Sequence, residues 1–294
     1  VFASIRELFH SAHLIQDWLA DCAKIVSKSV AIPLADDKAF KSFTQPLNMS
    51  SVIWTTPLGL PIVQPYRKVA KKQIFTAIQS VYISDPLSLN PVDARKQKMG
   101  FPPNFIHSLD ATHMLLSAIK CGEAGLRFAS VHDSYWTHAC DVEKMNKILR
   151  QEFINLHEVD LIERLKNEFD TRYKDNIYMI KVIKKSPLGK ELLDYRADLQ
   201  AKLNRVPTFM DEIYLERVRR DYLNSDDPEL VAKAKSMKTV LTICSSYTAQ
   251  EIEECTTKAK TSGVVGFLPV VIPPIPPKGE FDVTELRNST YFFS

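Results

Sequence analysis

The sequence predicts a helix-rich α+β fold, and three stretches carry that prediction. In "GFPPNFIHSLDATHMLLSAIKCGEAG" (100–125) a run with apolar residues three and four apart follows two prolines, and Gly122 and Gly125 close it. In "RFASVHDSYWTHAC" (127–140) apolar and polar residues alternate on both sides of His132-Asp133-Ser134, the pattern of two strands joined at a tip. Residues 187–260 set helix-spaced Leu, Ile, Val and Tyr among many Lys, Arg, Glu and Asp, which reads as helical, mostly surface structure broken at "NSDDP" (224–228).

The remaining elements follow in chain order. Residues 3–30 have the amphipathic spacing of one or two helices. "SVIWTTPLGLPIVQPYRK" (51–68) reads as a β-hairpin turning at Pro57-Leu58-Gly59, with Pro61 and Pro65 confining its second strand to an edge. The prolines and Asn104 predict that the clearest helix starts at residue 103, with Phe105, Ile106, Leu109, Leu116 and Ile119 on its core face. From Asp141 to Phe169 the pattern is helical again. "FLPVVIPPIPPKG" (267–279) has too many prolines for a helix or a central strand and is expected to run extended over the surface. "FDVTELRNSTYFFS" (281–294) gives a short helix and a terminal aromatic cluster, and no internal repeat is present.

Composition sets limits. A chain of 294 residues with 45% hydrophobic content can bury a large core, as one big domain or two smaller ones. No run of about 18 apolar residues occurs, so no membrane span is expected. No targeting leader opens the sequence either, and a start at Val1 inside an amphipathic pattern implies a chain cut from something longer. Five widely spaced cysteines without a CxxC pair argue against a disulfide framework and a zinc ribbon, and fit a reducing interior. The net charge of +3 is uninformative, but residues 67–98 hold Arg67, Lys68, Lys71, Lys72, Arg95, Lys96 and Lys98 against Asp85 and Asp93 alone. Such a patch suits a phosphate backbone through counterion release, and equally an ordinary solvated face.

Two constellations could carry chemistry. His107, Asp110 and His113 follow one another at spacings of three on one helix, which suggests either a zinc trio or residues that cap, pair or line a polar cleft. Asp133 is the more informative. Tight strand connections favour glycine-containing pairs, and His132-Asp133-Ser134 has none, so either the loop is longer than it looks or those side chains are wanted there. An aspartate at a turn can bind its own backbone. It can also be a hard carboxylate ligand for Mg²⁺, which typically recruits one or two carboxylates and substrate phosphates, although no second carboxylate of this chain has a convincing setting.

"KQKMGFPPNFIHSLDATHM" (96–114), "VHDSYWTHA" (131–139), "VIWTTPLGLPIVQPYRK" (52–68) and the terminal "STYFFS" occur in the order, and with the wording, of the single-subunit, bacteriophage-type RNA polymerases, and most closely resemble the C-terminal part of their mitochondrial members. The resemblance runs from about residue 50 to 180 and resumes from about 262 to 294, with 187–260 resembling an insertion typical of fungal members. It implies part of a right-hand polymerase fold: a fingers portion (1–102), a palm helix and catalytic hairpin (103–186), a helical insertion (187–261), and a proline-rich segment with a C-terminal foot (262–294). It also implies that Asp133 is one of two palm carboxylates holding catalytic Mg²⁺ in a two-metal site, supported by His132, Ser134 and Asp110. By the same resemblance His107 contacts the minor-groove side of the primer–template pair, and Phe293 and Ser294 belong to a foot near the active site. Arg95, Lys96 and Lys98 are phosphate contacts on the electrostatic argument.

The implied partners are a DNA template, the RNA transcript, NTPs and mitochondrial initiation factors, with no membrane and a place in the mitochondrial matrix. The other palm aspartate and the nucleotide-binding fingers helix belong to motifs lying before the equivalent of Val1, so this polypeptide by itself is expected to be inactive. Three rival readings remain. A DNA polymerase of the related palm superfamily usually has glutamate where Ser134 stands; a noncatalytic nucleic-acid-binding module would need no metal; a zinc hydrolase would use His107, Asp110 and His113.

Overall fold

The computed structural model describes residues 6–32, 50–68, 71–76, 78–84, 90–256 and 263–292. In chain order the elements are α1 (His10–Ser27), β1 (Ser29–Val30), β2 (Ile53–Thr55), β3 (Pro61–Val63), β4 (Lys71–Phe75), β5 (Ser80–Ser84), α2 (Ala94–Glu123), β6 (Ala129–Val131), β7 (Ser134–Trp136), α3 (Val142–Glu158), α4 (Leu161–Tyr173) and β8 (Ile177–Ile183). Then come α5 (Pro187–Leu203), α6 (Phe209–Leu223), α7 (Pro228–Ser236), α8 (Val240–Ser245), α9 (Ala249–Cys255), β9 (Gly263–Pro269) and a 3₁₀ turn, Val283–Asn288. Helices predominate and every sheet among the described residues is small and antiparallel, which is the expected α+β class. No described helix is long and apolar enough to cross a membrane. All five cysteines are free, four of them buried.

The chain forms two compact units, one from Val1–Ser27, Ser51–Arg172 and Ile272–Ser294, the other from Lys28–Ser50 and Tyr173–Val271. The first is organised around α2. This helix begins nine residues before the expected start, where the Asp93 carboxylate accepts hydrogen bonds from the Arg95 and Lys96 amides at 3.1 and 3.2 Å. Pro102 and Pro103 therefore lie inside the helix, where each removes one backbone hydrogen bond at a cost of about 3 kcal/mol. Tertiary contacts offset that cost. Phe101 is fully buried, with its ring 5.2 Å from Trp54, 5.9 Å from Phe105 and 5.8 Å from Phe169. The Trp54 indole N–H donates to the Ser108 hydroxyl at 3.0 Å.

The same surface of α2 holds the β2–β3 hairpin. Gln64 Nε2 donates to Gln97 Oε1 at 2.6 Å and Gln97 Nε2 returns a bond to the Gln64 carbonyl at 3.0 Å, a reciprocal clamp that satisfies two buried amides. Asn104, expected as a helix start, is instead a mid-helix donor to Gln64 Oε1 and to the Tyr66 hydroxyl. Gly100 lets Tyr66 lie this close, because a side chain there would meet the ring at 2.6 Å. The core face of α2 also departs from expectation. Phe105 and Leu109 are buried, but Ile106 and Ile119 are 48% and 51% exposed, and Ser108, Thr112, His113 and Ser117 fill the inner face in their place.

In the second unit β8 lies between β1 and β9, with β9 antiparallel from Ile177↔Pro269 to Ile183↔Gly263. Helices α5 to α9 are not merely a surface layer. Leu188, Leu192, Ile213 and Cys244 are fully buried with Val182 and Phe267 of the sheet, so the charge-rich segment has its own core. The proline-rich run likewise begins inside edge strand β9, and Phe267 is buried, so it becomes irregular only after Pro269.

Glu216 is buried among Arg219, Arg220 and the Thr239 hydroxyl. Burial raises its pKa, but the hydrogen bonds and charges of those partners outweigh burial and hold the carboxyl below its ordinary range. A depressed folded-state pKa adds stability above the unfolded value, about 4.3, and that stability is lost as pH falls through the folded value. Acid unfolding followed by circular dichroism should therefore show a destabilising limb below about pH 4.3 that Glu216→Gln removes.

Candidate active site

Strands β6 and β7 pair as Ala129↔Trp136, Ser130↔Tyr135 and Val131↔Ser134, which leaves a two-residue turn, His132-Asp133. The loop is as short as it looks. His132 takes the left-handed backbone, φ +51°, that such a turn ordinarily gives to glycine. A non-glycine residue there stores strain that the surroundings must maintain, and side chains rather than backbone economy explain the choice. His132, Asp133 and Ser134 are all exposed. Among the described residues the Asp133 carboxylate has no hydrogen-bond or ion-pair partner, so no bond to its own turn backbone accounts for it.

A two-stranded ribbon is marginal alone, so its inner face decides where the tip sits. Phe128 and Ser130 face inward and Arg127, Ala129 and Val131 outward, as the alternation predicts. Phe128 and Tyr135, 5.6 Å apart, pack with Ile148 on a core of Cys121, Leu126, Met145 and Leu149 contributed by α2, α3 and the segment after α2. Thr137 closes the base by donating to the Arg127 carbonyl at 2.6 Å. Burial pushes the Tyr135 phenol up, and Asp133 and then Asp110 push it further. The hairpin aspartate and the α2 aspartate thus act on one phenol.

The three α2 residues of the zinc alternative do not converge. Steps of three residues turn a helix by about 300° each, so His107 and His113 point about 120° apart. His107 and Asp110 are exposed, whereas His113 is buried with Nε2 2.8 Å from the Leu149 carbonyl. A carbonyl only accepts, so Nε2 carries the proton. Burial lowers the pKa of His113, which keeps the ring neutral at pH 7. Among the described residues no group of three His, Cys, Asp or Glu side chains could hold a metal, and the zinc reading loses its ligands.

Arg95 and Lys96 are exposed in the first turn of α2. Two cations at the positive end of a helix oppose its dipole, each at about 0.3–1 kcal/mol, so they are not there to stabilise it. Lys98 lies 3.8 Å from Asp21, and Arg67 donates to the Asn90 carbonyl, so the basic segment is only partly uncommitted. Phe292 packs edge-on to Phe153 at 5.2 Å, beneath the Arg150 guanidinium. Phe293 and Ser294 lie outside the described residues. Tyr135 and His113 are the residues that sequence reasoning missed in these roles. The inward register opposite Ser130 was the one available signal for Tyr135.

The sequence matches the family model described as DNA-dependent RNA polymerase over residues 1–294. It is 31% identical to the mitochondrial DNA-directed RNA polymerase of Neurospora crassa across 412 aligned positions, which take in all of this chain and 28% of that protein. It is 47% identical to the mitochondrial DNA-directed RNA polymerase of Schizosaccharomyces pombe over 184 residues, or 63% of this chain and 15% of that protein. DNA-directed RNA polymerase 2B, chloroplastic/mitochondrial, of Nicotiana tabacum is 44% identical over 170 residues, 58% of this chain and 15% of its own length. The chain thus spans between about a seventh and a little over a quarter of these relatives.

Proposed function

The chain belongs to the DNA-dependent RNA polymerase family, and from that premise we propose that it supplies part of the fingers and the C-terminal part of the palm of a single-subunit polymerase that transcribes mitochondrial DNA. One observation carries the reading: a carboxylate, Asp133, without a partner among the described residues, at the tip of a short hairpin whose turn accepts left-handed strain at His132 rather than a glycine. A carboxylate aimed outward on two strands is suited to a reaction in which positioning and charge do the work.

The donor chemistry fits Mg²⁺. Asp133 offers hard oxygens free of partners among the described residues, one of the one or two carboxylates such an ion typically takes from protein, and the remaining ligands would come from substrate phosphates, water and the rest of the polymerase. Bound there, Mg²⁺ would supply positive charge to the transferring phosphoryl group and a lowered pKa for the RNA 3′-hydroxyl. Asp133 holds its place, and His132 and Ser134 shape the tip. Asp110 adds negative potential nearby. His107, exposed on α2, is suited to a minor-groove contact, where acceptor positions test pair geometry with little dependence on sequence. Arg95, Lys96 and Lys98 position the phosphates of template or transcript. The names of the relatives support a mitochondrial location, a DNA template and RNA synthesis from NTPs, and initiation factors are partners implied by the resemblance alone.

RNA extension on a promoter-free tailed template tests this reading in the full-length protein that carries the chain. Extension should require Mg²⁺ and all templated NTPs; DNA binding with no metal-dependent synthesis would favour a noncatalytic binding module. In the same protein Arg95→Ala with Lys96→Ala should weaken DNA binding uniformly across sequences. Each removed phosphate contact should reduce the slope of log K against log salt by about 0.9. Titration by fluorescence anisotropy reads that slope, and an unchanged slope would remove both residues from the interface.

A further inference from the structure

The hairpin packs through its inner face, and from Tyr135 on that face a chain of rings leads away from the tip. Tyr135, on the inward face of β7, meets the His113 ring edge-on at 6.3 Å. His113 meets Phe153 of α3 edge-on at 5.5 Å. Phe153 in turn meets Phe292 edge-on at 5.2 Å and stacks on His157 at 4.1 Å. Arg150 fastens the far end by donating to the Arg287 carbonyl at 3.1 Å while its guanidinium lies 5.7 Å from the Phe292 ring.

Phenylalanine in place of His113 would serve for packing alone. The imidazole adds an N–H to the Leu149 carbonyl at 2.8 Å, which fixes the ring plane that both Tyr135 and Phe153 touch. Leu149 is also part of the small core under the hairpin, so this single bond ties ring orientation to the floor on which β6 and β7 rest.

We propose that His113 is a positioning residue: it couples the C-terminal segment around Phe292 to the β6–β7 hairpin and so sets where the Asp133 carboxylate stands. The inference rests on the reading of Asp133 given above. It concerns the placement of a ligand and not its chemistry, so hairpin mobility and metal requirement should report it more directly than activity does.

The test uses the full-length protein with His113→Phe, His113→Gln and Phe292→Ala, and Asp133→Asn as reference. Hydrogen–deuterium exchange of the peptide covering 127–137 should quicken about tenfold in His113→Phe and in Phe292→Ala. The Mg²⁺ concentration for half-maximal extension should rise about fivefold in both, with template affinity unchanged. His113→Gln, whose amide can donate to the same carbonyl, should recover part of each effect. The double variant His113→Phe/Phe292→Ala should be little worse than either single one, as expected for residues acting through one chain. Wild-type exchange and Mg²⁺ dependence in Phe292→Ala, a change to a partly exposed ring outside the core cluster under the hairpin, would overturn the coupling even if the His113 variants fold poorly. If Asp133→Asn abolishes extension while His113→Phe behaves as wild type, the inference fails and the reading of Asp133 stands. If Asp133→Asn extends RNA normally, that reading falls and takes the inference with it.

Discussion

Replacing Asp133 by asparagine in the full-length protein should slow RNA extension by about 10²- to 10⁴-fold while leaving template affinity within about a factor of two. The two halves of that expectation have different physical sources. The carboxylate makes no hydrogen bond or ion pair with the described residues, so its loss removes nothing from the fold, and the unfolding temperature should stay within about a degree. Asparagine keeps the size and turn preference of aspartate but not the charge, which separates a metal ligand from a turn residue. Single-turnover extension with saturating NTPs isolates the chemical step. A rate equal to wild type would make Asp133 a turn residue and leave the hairpin without a function.

Phe101→Ala should be severely damaging, costing about 3–5 kcal/mol through lost burial and the cavity left among Trp54, Phe105 and Phe169. The ring is fully buried beside the two prolines that interrupt the α2 ladder, where packing carries what hydrogen bonding cannot. Ile106→Ala on the same helix is the matched control. Its side chain is about half exposed, so removing its three carbons, against six in Phe101→Ala, should cost under about 1 kcal/mol, well below half the cost at Phe101. Urea unfolding of both variants measures the contrast. Equal costs would mean that Ile106 lies on the core face, as its spacing alone had suggested.

The contrast shows what periodicity can and cannot deliver. Alternation at 127–136 gave the hairpin, its inward residues and its tip, because a half-buried strand leaves a period-two record whatever it packs against. The helix through His107 was equally visible, but not its first nine residues. Local chemistry says that a proline pair stops a helix, and here tertiary burial of Phe101 and the Gln64–Gln97 clamp override it. The inner face of α2 was misjudged for a related reason. Thr112 is satisfied within its own helix by the Ser108 carbonyl, but Ser108 and His113 are buried with partners from elsewhere in the chain, the Trp54 indole and the Leu149 carbonyl, which the sequence does not display. Residues 187–255 hid a core behind their charge. Arg196 and Glu212, or Arg219, Arg220 and Glu216, neutralise one another at the edge of an apolar interior, whereas composition counts each of them as surface. Asp133 was the reverse case, a candidate that drew notice because a local rule failed: a two-residue turn without glycine invites a reason outside the backbone.

The direct test of that reason is the location of the metal. With Mg²⁺ replaced by Fe²⁺ in the full-length protein bound to a primed template, ascorbate and peroxide should generate hydroxyl radicals that cut the polypeptide beside the ion. Mass spectrometry should find cleavage within residues 131–135, suppressed by excess Mg²⁺ and absent in Asp133→Asn. Cleavage that spares this hairpin while appearing elsewhere would contradict Asp133 as a metal-holding carboxylate.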